Sequence, residues 1–546
     1  MLHATMMDIP LTLDLLLERA GTVFKDVEIV SRKPDRSLHR CTNSEMYVRA
    51  KRLARALVAA GIKPGDRVAT LMWNHYAHLE CYFGIPASGA VLHTLNLRLH
   101  ADEIGYIADH AQDRFLIVDD ILLPLFEQFK DKARFERVIV FNYGGDAHPH
   151  EDYEQFLASA PDVVELPRIR EEWAAGMCYT SGTTGRPKGV LYGHKTSVLH
   201  AMGSSLPDAC NLSVRDCVVP VVPMFHAMAW GMPYSATMVG ARQALPGPHL
   251  DAESLLDLFA ETGTTFTAGV PTIWMRILEE LDRHPGRWKL RPGMRMIVGG
   301  SATPPSMVRA FEKHDLQIIA AWGMTETSPI CSIAQVRPEI DARGDEARHW
   351  HRAQAGLPVP LVDVRVIGDA GPQPWDGAST GELQVRGPWI TGSYYLRPDA
   401  AGSFTEDGWM RTGDVATMTP DGYIHITDRT KDLIKSGGEW ISSVELENEL
   451  MAHAAVAEAA VIAVPHEKWM ERPLACVVLK PGARATPEEL SAHLAKKFAK
   501  WWLPEAYAFI DEVPKTSTGK FQKLKLRERF SHWDWNADTP AAGSQR

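Results

Sequence analysis

The chain has 546 residues, of which 45% are hydrophobic and 23% are charged, and its formal net charge is -10. This length predicts about three or four domain-sized units, and the composition is ordinary for a soluble globular protein. The negative charge argues against a nucleic-acid-binding protein, which normally carries a basic face.

The seven cysteines are scattered, with no C-x-x-C pair, and the chain has 22 histidines without an H-E-x-x-H motif or zinc-ligand spacing. Reduced thiols in a cytoplasmic protein are therefore expected, and a zinc site is not. The N-terminal segment carries Asp8 and Asp14 and lacks a basic start, which argues against a secretory signal. The chain has no apolar run of about 18 residues, so a membrane-spanning helix is not predicted. At most, peripheral membrane contact is expected.

Two helices are predicted near the N-terminus. The first is an amphipathic helix over residues 10–21 that ends at Gly21. The second covers residues 43–60, begins with a capping box formed by Thr42 and Glu45, and stops at Gly61.

Short apolar runs then alternate with segments of helical length. The runs are RVATLM, AVLHTLN, RFLIVDD, RVIVFN, CVVPVVPMF, MRMIVGG and LQIIAAWG. This alternation predicts a layered α/β body with largely parallel strands. Ligands are then expected at the carboxyl ends of those strands.

The pattern changes at about residue 355, where short strand-like pieces and turn signals indicate a β-rich subdomain up to residue 428. A charged, glycine-bearing segment follows, and a compact α+β stretch runs to about residue 530. We therefore predict a large N-terminal domain of residues 1–428, a hinge at 429–435 and a small α+β C-terminal domain of residues 436–546.

The segment YTSGTTGRPKGV, residues 179–190, indicates a phosphate-binding loop. It combines glycines, hydroxyl side chains and one cation: Gly182, Gly185, Gly189, Thr180, Ser181, Thr183, Thr184 and Lys188. Glycines let backbone N–H groups converge on anionic oxygens, and the hydroxyls and the ammonium add donors. Its spacing does not fit a Walker A loop, which disfavours a P-loop kinase or GTPase. Composition alone also allows a flexible surface loop.

Four further motifs follow in order: AAWGMTETSP at 320–329, GWMRTGDVA at 408–416, DRTKDLIKSGGEW at 428–440 and PKTSTGKFQKLKL at 514–526. Each is weak alone, since a Thr-Glu pair is also common at helix N-termini. Together they resemble the AMP-forming acyl-CoA synthetases, the adenylating family that also includes firefly luciferases and the adenylation domains of peptide synthetases. The resemblance implies ATP, Mg²⁺ and coenzyme A, with acyl-AMP formed first and acyl-CoA second.

The resemblance assigns nucleotide-binding roles to the phosphate loop and to residues in the later motifs. These are Thr180, Ser181, Gly182, Thr183, Thr184, Gly185, Lys188, Gly300, Ser301, Ala302, Trp322, Gly323, Met324, Thr325, Asp414, Arg429, Lys435, Trp440 and Lys520. Glu326 and Thr180 are implied to bind magnesium, and Asp414 and Arg429 the ribose. Trp322 stands beside adenine, where the family usually has tyrosine.

Two lysines carry the implied chemistry. By the match, Lys520 drives adenylation, and Lys435 assists thioester formation after the C-terminal domain rotates about a hinge at Lys431. Gly437, Gly438 and Glu439 then contact CoA. Lys515, Lys523 and Lys525 are interpreted as a solvated basic tail.

Substrate selection is assigned to VPMFHAMAWGMPY, residues 222–234. The resemblance places His226 in the acyl site as a catalytically important residue. It makes Trp230 the gate of the acyl tunnel. Gly231, Tyr234, Gly300 and Gly323 complete the implied acyl site. The absence of a charged partner in this segment favours an apolar monocarboxylic acid, with a medium-chain fatty acid expected.

Several alternatives stay open. They are a ligase for short acids or 3-methylthiopropionate, a luciferase-like adenylating oxygenase, and a non-enzymatic acyl- or nucleotide-binding protein. The lysines and carboxylates of the motifs disfavour the last of these alternatives; they are Lys188, Glu326, Asp414, Lys435 and Lys520. A peptide-synthetase module is disfavoured because no carrier domain follows Lys520. The resemblance also allows a homodimer.

Overall fold

The computed structural model describes residues 2, 5–145, 147–180, 186–436, 439–516 and 520–535, with only the backbone of Glu439. Its strands and helices build a large N-terminal domain with mixed α/β sheets and a small α+β C-terminal domain, as the sequence predicts.

The strands are β1 (Glu28–Arg32), β2 (Leu38–Thr42), β3 (Arg67–Leu71), β4 (Val91–Thr94), β5 (Asp113–Asp119), β6 (Arg137–Phe141), β7 (Glu151–Asp152), β8 (Ala174–Tyr179), β9 (Gly189–Gly193), β10 (Cys217–Pro220), β11 (Arg242–Leu245), β12 (Phe266–Gly269), β13 (Met294–Val298), β14 (Leu316–Gly323), β15 (Ile330–Ile333), β16 (Leu357–Pro358), β17 (Asp363–Gly368), β18 (Gly371–Pro372), β19 (Gly381–Arg386), β20 (Met410–Met418), β21 (Ile424–Arg429), β22 (Ile434–Ser436), β23 (Glu439–Ile441), β24 (Val456–His466), β25 (Met470–Leu479) and β26 (Ala506–Phe509).

The α-helices are α1 (Leu13–Thr22), α2 (Asn43–Ala59), α3 (Tyr76–Ala87), α4 (Ala101–Ala111), α5 (Leu123–Phe126), α6 (Tyr153–Ala158), α7 (His194–Ser205), α8 (Met232–Val239), α9 (Ala252–Thr262), α10 (Pro271–Arg283), α11 (Pro305–Glu312), α12 (Pro338–Asp341), α13 (Asp345–Arg352), α14 (Ser443–Ala452), α15 (Pro487–Leu494) and α16 (Lys523–Arg529). Short 3₁₀ turns lie at Asp120–Leu122, Lys130–Lys132, Ala227–Gly231, Thr325–Thr327, Pro398–Ser403 and Lys500–Trp502. Within the described ranges, every helix is too short or too polar to cross a membrane.

Two large sheets form the body of the N-terminal domain. One has the order β7-β6-β5-β3-β4-β8-β9, and the other β16-β15-β14-β13-β12-β10-β11-β1-β2. Most pairings inside both sheets are parallel, and antiparallel pairs occur at their ends. The parallel strands β8, β10, β13 and β14 each end within or just before one of the predicted site segments, so their carboxyl ends position the site.

The two remaining sheets lie where the sequence predicts a β-rich subdomain and a compact α+β stretch. Residues 363–429 form an antiparallel sheet of order β18-β17-β19-β20-β21. The C-terminal domain has the order β23-β22-β25-β24, with β26 added parallel to β25.

The helix signals at the N-terminus are confirmed except for the two ends of α1, which begins at Leu13 rather than at residue 10. Thr42 Oγ1 accepts a hydrogen bond from Glu45 N at 3.3 Å, and the Glu45 carboxylate accepts one from Thr42 N at 2.7 Å, which closes the predicted capping box. Gly21 does not end α1, which continues to Thr22. A Cβ at Gly21 would lie 2.4 Å from Tyr47, so this glycine permits close packing of α1 on α2.

A buried polar cluster joins the two domains. Asp428, at the end of β21, accepts hydrogen bonds from Ser443 N at 2.6 Å and Ser443 Oγ at 2.7 Å. The Lys523 ammonium donates to Ser443 Oγ at 2.6 Å and pairs with Glu447 at 2.7 Å. The interpretation of Lys523 as a solvated residue is therefore wrong: its charge is paired inside this cluster. The small domain is thus tied to the last strand of the large one.

Several buried histidines give the stability a predictable pH dependence. His194 begins α7, and its Nδ1 accepts a hydrogen bond from Leu13 N at 3.3 Å. Burial lowers its pKa to about 4, as it does for His200. The neutral imidazole is required in the folded chain, whereas an unfolded histidine binds a proton below about pH 6.5.

We expect the folding stability of His194→Gln to fall less steeply on acidification than that of the wild type. Between pH 6.5 and 4 the unfolded wild type binds a proton at His194 that the folded chain excludes, so folding stability falls by about 1.4 kcal/mol per pH unit from this residue. Urea unfolding from pH 5 to 6.5 measures the slope, and His100→Gln, at an exposed site, is the matched control. Equal slopes in wild type and His194→Gln would contradict the assignment.

Candidate active site

A cleft of ≈ 1470 Å³ lies between the two domains at the carboxyl ends of the parallel strands. Its described lining includes residues from each of the predicted motifs. From the large domain these are Thr180, Lys188, His226, Trp230, Gly300, Ser301, Ala302, Trp322, Gly323, Met324, Thr325, Glu326, Asp414 and Arg429. Lys431 and Lys520 also line it. The structure therefore brings together side chains that are up to 340 positions apart in the chain.

The β8–β9 hairpin carries the predicted phosphate loop. Thr180 N donates to Lys188 O at 2.9 Å, and Lys188 N donates to Thr180 Oγ1 at 3.1 Å, so the two residues close the base of the loop. The predicted loop residues Ser181, Gly182, Thr183, Thr184 and Gly185 lie outside the described residues. The Lys188 ammonium lies 4.5 Å from the centre of the Tyr394 ring.

Tyr394 connects this lysine to Glu326. Its hydroxyl donates to Glu326 Oε1 at 2.7 Å, and the neighbouring Tyr192 hydroxyl donates to Thr325 O at 2.8 Å. Glu326 is buried, and such a carboxylate is stable only with hydrogen-bonding or charged partners. Sequence reasoning missed both tyrosines, because neither is part of a recognisable motif.

Asp414 forms a second anionic centre, in the β-rich sheet. β20 pairs with β21 in a register that sets Asp414 opposite Arg429, and Arg429 Nε lies 3.0 Å from Asp414 Oδ1. Asp414 Oδ2 accepts a hydrogen bond from Trp322 Nε1 at 2.9 Å. A tyrosine at 322 has no indole N–H, so the departure from the family pattern creates this contact. Both carboxylate oxygens are fixed before any ligand binds.

Lys520 enters the cleft from the C-terminal domain. Its backbone N–H donates to Thr516 Oγ1 at 3.0 Å, and Thr516 N donates to Lys520 O at 2.7 Å. A Cβ on Gly300 would lie 3.4 Å from Lys520 Cε, which places the side chain against the wall after β13. Burial, together with the nearby charge of Arg429, lowers the pKa of Lys520 to about 8, although Asp414 and Glu326 oppose this shift.

His226 and Trp230 form the apolar end of the cleft. Burial lowers the pKa of His226 to about 3, with a smaller contribution from the charge of Lys520, so its imidazole is neutral. Gly231 and Tyr234 lie behind this wall: Gly231 faces His200, and the Tyr234 hydroxyl donates to Tyr82 O at 3.3 Å inside the core.

Lys435 and Trp440 were both predicted to bind the nucleotide, and Lys435 also to assist thioester formation, but neither of them lines the cleft. Lys435 is exposed on β22, with its ammonium 5.3 Å from the centre of the Trp440 ring, and its backbone N–H donates to Glu471 Oε2 at 2.8 Å. Trp440 is half exposed. Gly437, Gly438 and the side chain of Glu439 lie outside the described residues. In this arrangement, therefore, Lys520 lies in the cleft and Lys435, the other predicted lysine, does not.

Family models match most of the chain. The AMP-binding enzyme model matches residues 17–395, and the model of the AMP-binding enzyme C-terminal domain matches residues 445–520.

Named relatives align with this chain over almost their whole length. The chain is 49% identical to a long-chain-fatty-acid–CoA ligase of Thermus thermophilus, over 97% of each chain. It is 41% identical to a medium-chain-fatty-acid–CoA ligase of Ectopseudomonas oleovorans, over 96% of this chain and 97% of that one. A 3-methylmercaptopropionyl-CoA ligase of Ruegeria lacuscaerulensis is 42% identical, over 96% and 98%.

Solved structures agree with the fold. The anthranilate CoA ligase AuaEII in complex with anthranoyl-AMP has a TM-score of 0.84 and 26% identity, covering 96% of this chain and 98% of that one. ATP-bound MatB from Rhodopseudomonas palustris shares the fold, with a TM-score of 0.80 and 24% identity over 96% and 99%. The chain thus belongs to the AMP-binding enzyme family and is an AMP-forming acyl-CoA synthetase, an acid–thiol ligase that activates a carboxylic acid with ATP and joins it to CoA in two steps.

Proposed function

We propose that the acid is an apolar aliphatic monocarboxylate, with a medium-chain fatty acid as the main substrate. The observation that carries this proposal is the set of apolar residues that line the cleft with Trp230, namely Ala227, Gly299, Ala320 and Ile330, of which Gly299 lies against the Trp230 ring. His226 at this end is neutral because burial lowers its pKa, to which the nearby charges of Lys520 and Arg98 contribute. A second charged group on the acid would lose its hydration against these apolar residues, at a cost of several kcal/mol. The fatty-acid ligases among the relatives support the same class.

In the first half-reaction, a carboxylate oxygen of the acid attacks the α-phosphorus of ATP, and pyrophosphate leaves. Negative charge accumulates between the two reactants, and the ammonium of Lys520 extends into the cleft beside Gly300. We assign it the stabilisation of that charge. Asp414 and Arg429 would hold the ribose by accepting and donating hydrogen bonds, respectively, and their mutual ion pair sets the geometry before ATP arrives.

Lys188 and the loop above it would hold the β- and γ-phosphates. Magnesium is a hard cation that takes few protein carboxylates and shares phosphate oxygens, and Glu326, with the Thr180 hydroxyl, offers suitable oxygen donors. Among the described residues no group of three or more His, Cys, Asp and Glu side chains could hold a metal. When bound, the metal neutralises phosphate charge.

The second half-reaction needs Lys520 to leave, because the CoA thiol must reach acyl-AMP. We propose that the C-terminal domain turns about Lys431 and brings Lys435 and Trp440 to the cleft, with Gly437, Gly438 and Glu439 along the pantetheine path. The exposure of Lys435 and the half exposure of Trp440 in the present arrangement support this proposal, since both side chains are accessible to a ligand.

We propose that the enzyme is cytoplasmic, because its co-substrates are ATP and CoA and its seven cysteines are free.

The substrate proposal predicts a graded activity profile. With ATP, Mg²⁺ and CoA, fatty acids from about three to eighteen carbons should give AMP, with the highest kcat/KM for medium chains, whereas dicarboxylates and amino acids of equal length should react at least about tenfold more slowly. AMP production coupled to thioester detection measures this. Failure to form acyl-AMP from any acid would reject the proposal, and faster reaction with dicarboxylates would reject the apolar acyl site.

Lys520→Ala should reduce acyl-AMP formation by about 10²–10³ while leaving ATP affinity nearly unchanged, because the charge acts mainly in the transition state. In the wild type, Lys520 is charged below its pKa of about 8, so kcat/KM for adenylation should fall as the pH rises through this value. Pyrophosphate exchange from pH 6 to 10 measures both effects.

Lys525→Ala, at an exposed position in the same segment, is the control for Lys520→Ala. Pyrophosphate exchange near the wild-type rate in Lys520→Ala would remove Lys520 from the reaction. If the fall in kcat/KM with rising pH persists unchanged in Lys520→Arg, the pH dependence belongs to another group.

A further inference from the structure

Trp322 makes a polar contact that stacking on a base does not require. Its indole N–H donates to Asp414 Oδ2 at 2.9 Å, and the other carboxylate oxygen, Oδ1, lies 3.0 Å from Arg429 Nε. Asp414 is only 3% exposed, although it lines the cleft. An ionised carboxylate offers about four acceptor positions, so about two remain for a ligand after these contacts. Asp414 is therefore held in place with room for further donors.

The backbone at the end of β14 sets the direction of the indole. β14 pairs with β15 in antiparallel register up to Trp322 and Ser332, and the register then shifts between Trp322 and Gly323. Such a bulge bends the strand and changes the direction of the side chain beside it. A Cβ on Gly323 would lie 1.8 Å from Pro329 O, so a side chain at this position would break the bend. The bulge therefore directs the Trp322 ring toward Asp414.

A second cation interacts with Asp414 across the cleft. The charge of Asp414 opposes the lowering of the Lys520 pKa that burial causes. Lys520 belongs to the C-terminal domain, for which we propose a rotation, whereas Trp322 and Asp414 both belong to the large domain. A neutral donor on the large domain can keep Oδ2 in place in either orientation of the small one. The indole N–H of Trp322 is such a donor.

We propose that Trp322 is a positioning residue for the ribose: its indole N–H holds Asp414 Oδ2 where the carboxylate accepts hydrogen bonds from the ribose hydroxyls. Stacking of the indole on adenine does not distinguish ATP from its deoxy analogues, because the base is the same in each. The N–H acts on the carboxylate, so it determines how strongly a missing hydroxyl is penalised. This inference rests on the proposed function, which assigns the ribose to Asp414 and Arg429.

Trp322→Phe keeps an aromatic ring and removes the N–H. The ratio of kcat/KM for ATP to that for 2′-deoxy-ATP, or to that for 3′-deoxy-ATP, should fall about fivefold or more, because a loosely held Asp414 depends less on the hydroxyl that is missing. Lost stacking would lower kcat/KM for all three nucleotides equally and leave both ratios unchanged. Pyrophosphate exchange with each nucleotide, using the acid that reacts fastest with the wild type, measures the ratios.

Trp288→Phe is the matched control. The Trp288 indole N–H also donates to an aspartate, Asp257 Oδ1 at 2.7 Å, but this pair is exposed and does not line the cleft. Both ratios should therefore equal those of the wild type. Asp414→Asn measures the discrimination that Asp414 provides, and adding Trp322→Phe to it should lower the ratios no further. If Trp322→Phe does not fold, Trp322→Leu, which also lacks the N–H, takes its place.

The outcomes separate this inference from the proposed function. Ratios that fall in Asp414→Asn but stay at the wild-type value in Trp322→Phe would overturn the inference alone. An equal fall in Trp288→Phe, or a further fall when Trp322→Phe is added to Asp414→Asn, would overturn it too. If Asp414→Asn leaves both ratios unchanged, the proposed assignment of the ribose to Asp414 fails, and the inference fails with it.

Discussion

The position of Lys520 depends on how Asp428 holds the C-terminal domain. This carboxylate belongs to the large domain, whereas its partner Ser443 and the adjoining Glu447 and Lys523 belong to the small one. Removing one partner from a buried charged cluster leaves an uncompensated charge, which typically costs about 3–5 kcal/mol. The cluster therefore favours one orientation of the small domain, and in that orientation Lys520 lies in the cleft while Lys435 faces solvent.

The cleft places its anionic groups before any substrate binds. Asp414 is fixed by Arg429 and Trp322, and Glu326 is fixed by Tyr394. Preorganised groups need little rearrangement during the reaction, so they can act at full strength on charge that develops later. Lys520 differs from them because it belongs to the C-terminal domain, for which we propose a rotation, and because it is partly desolvated. Under the proposed rotation, its charge is available in one domain orientation and removed in the other.

The sequence predicted the features that depend on local chemistry. The Thr42 cap, the alternation of strands and helices and the order of the motifs were all readable, because each follows from neighbouring residues. It could not separate Lys523 from the lysines around it, since its partner Glu447 is 76 positions away. Gly21 looked like a helix end because its contact with Tyr47 exists only after α1 packs on α2. Residues 227–230 form a left-handed turn with φ between 36° and 55°. No sequence signal predicts it, because alanine, methionine and tryptophan ordinarily avoid that backbone.

The central claim is that each half-reaction uses one orientation of the C-terminal domain, and a disulfide between residues 428 and 443 tests it most directly. These residues lie on opposite sides of the hinge, and Ser443 Oγ is 2.7 Å from Asp428 Oδ2. Asp428→Cys with Ser443→Cys, oxidised, should hold the small domain over the cleft, with each single cysteine variant as control. The account predicts that the oxidised enzyme forms acyl-AMP at a rate close to that of its reduced form but makes thioester only after reduction. Thioester formation at the same rate before and after reduction would contradict it.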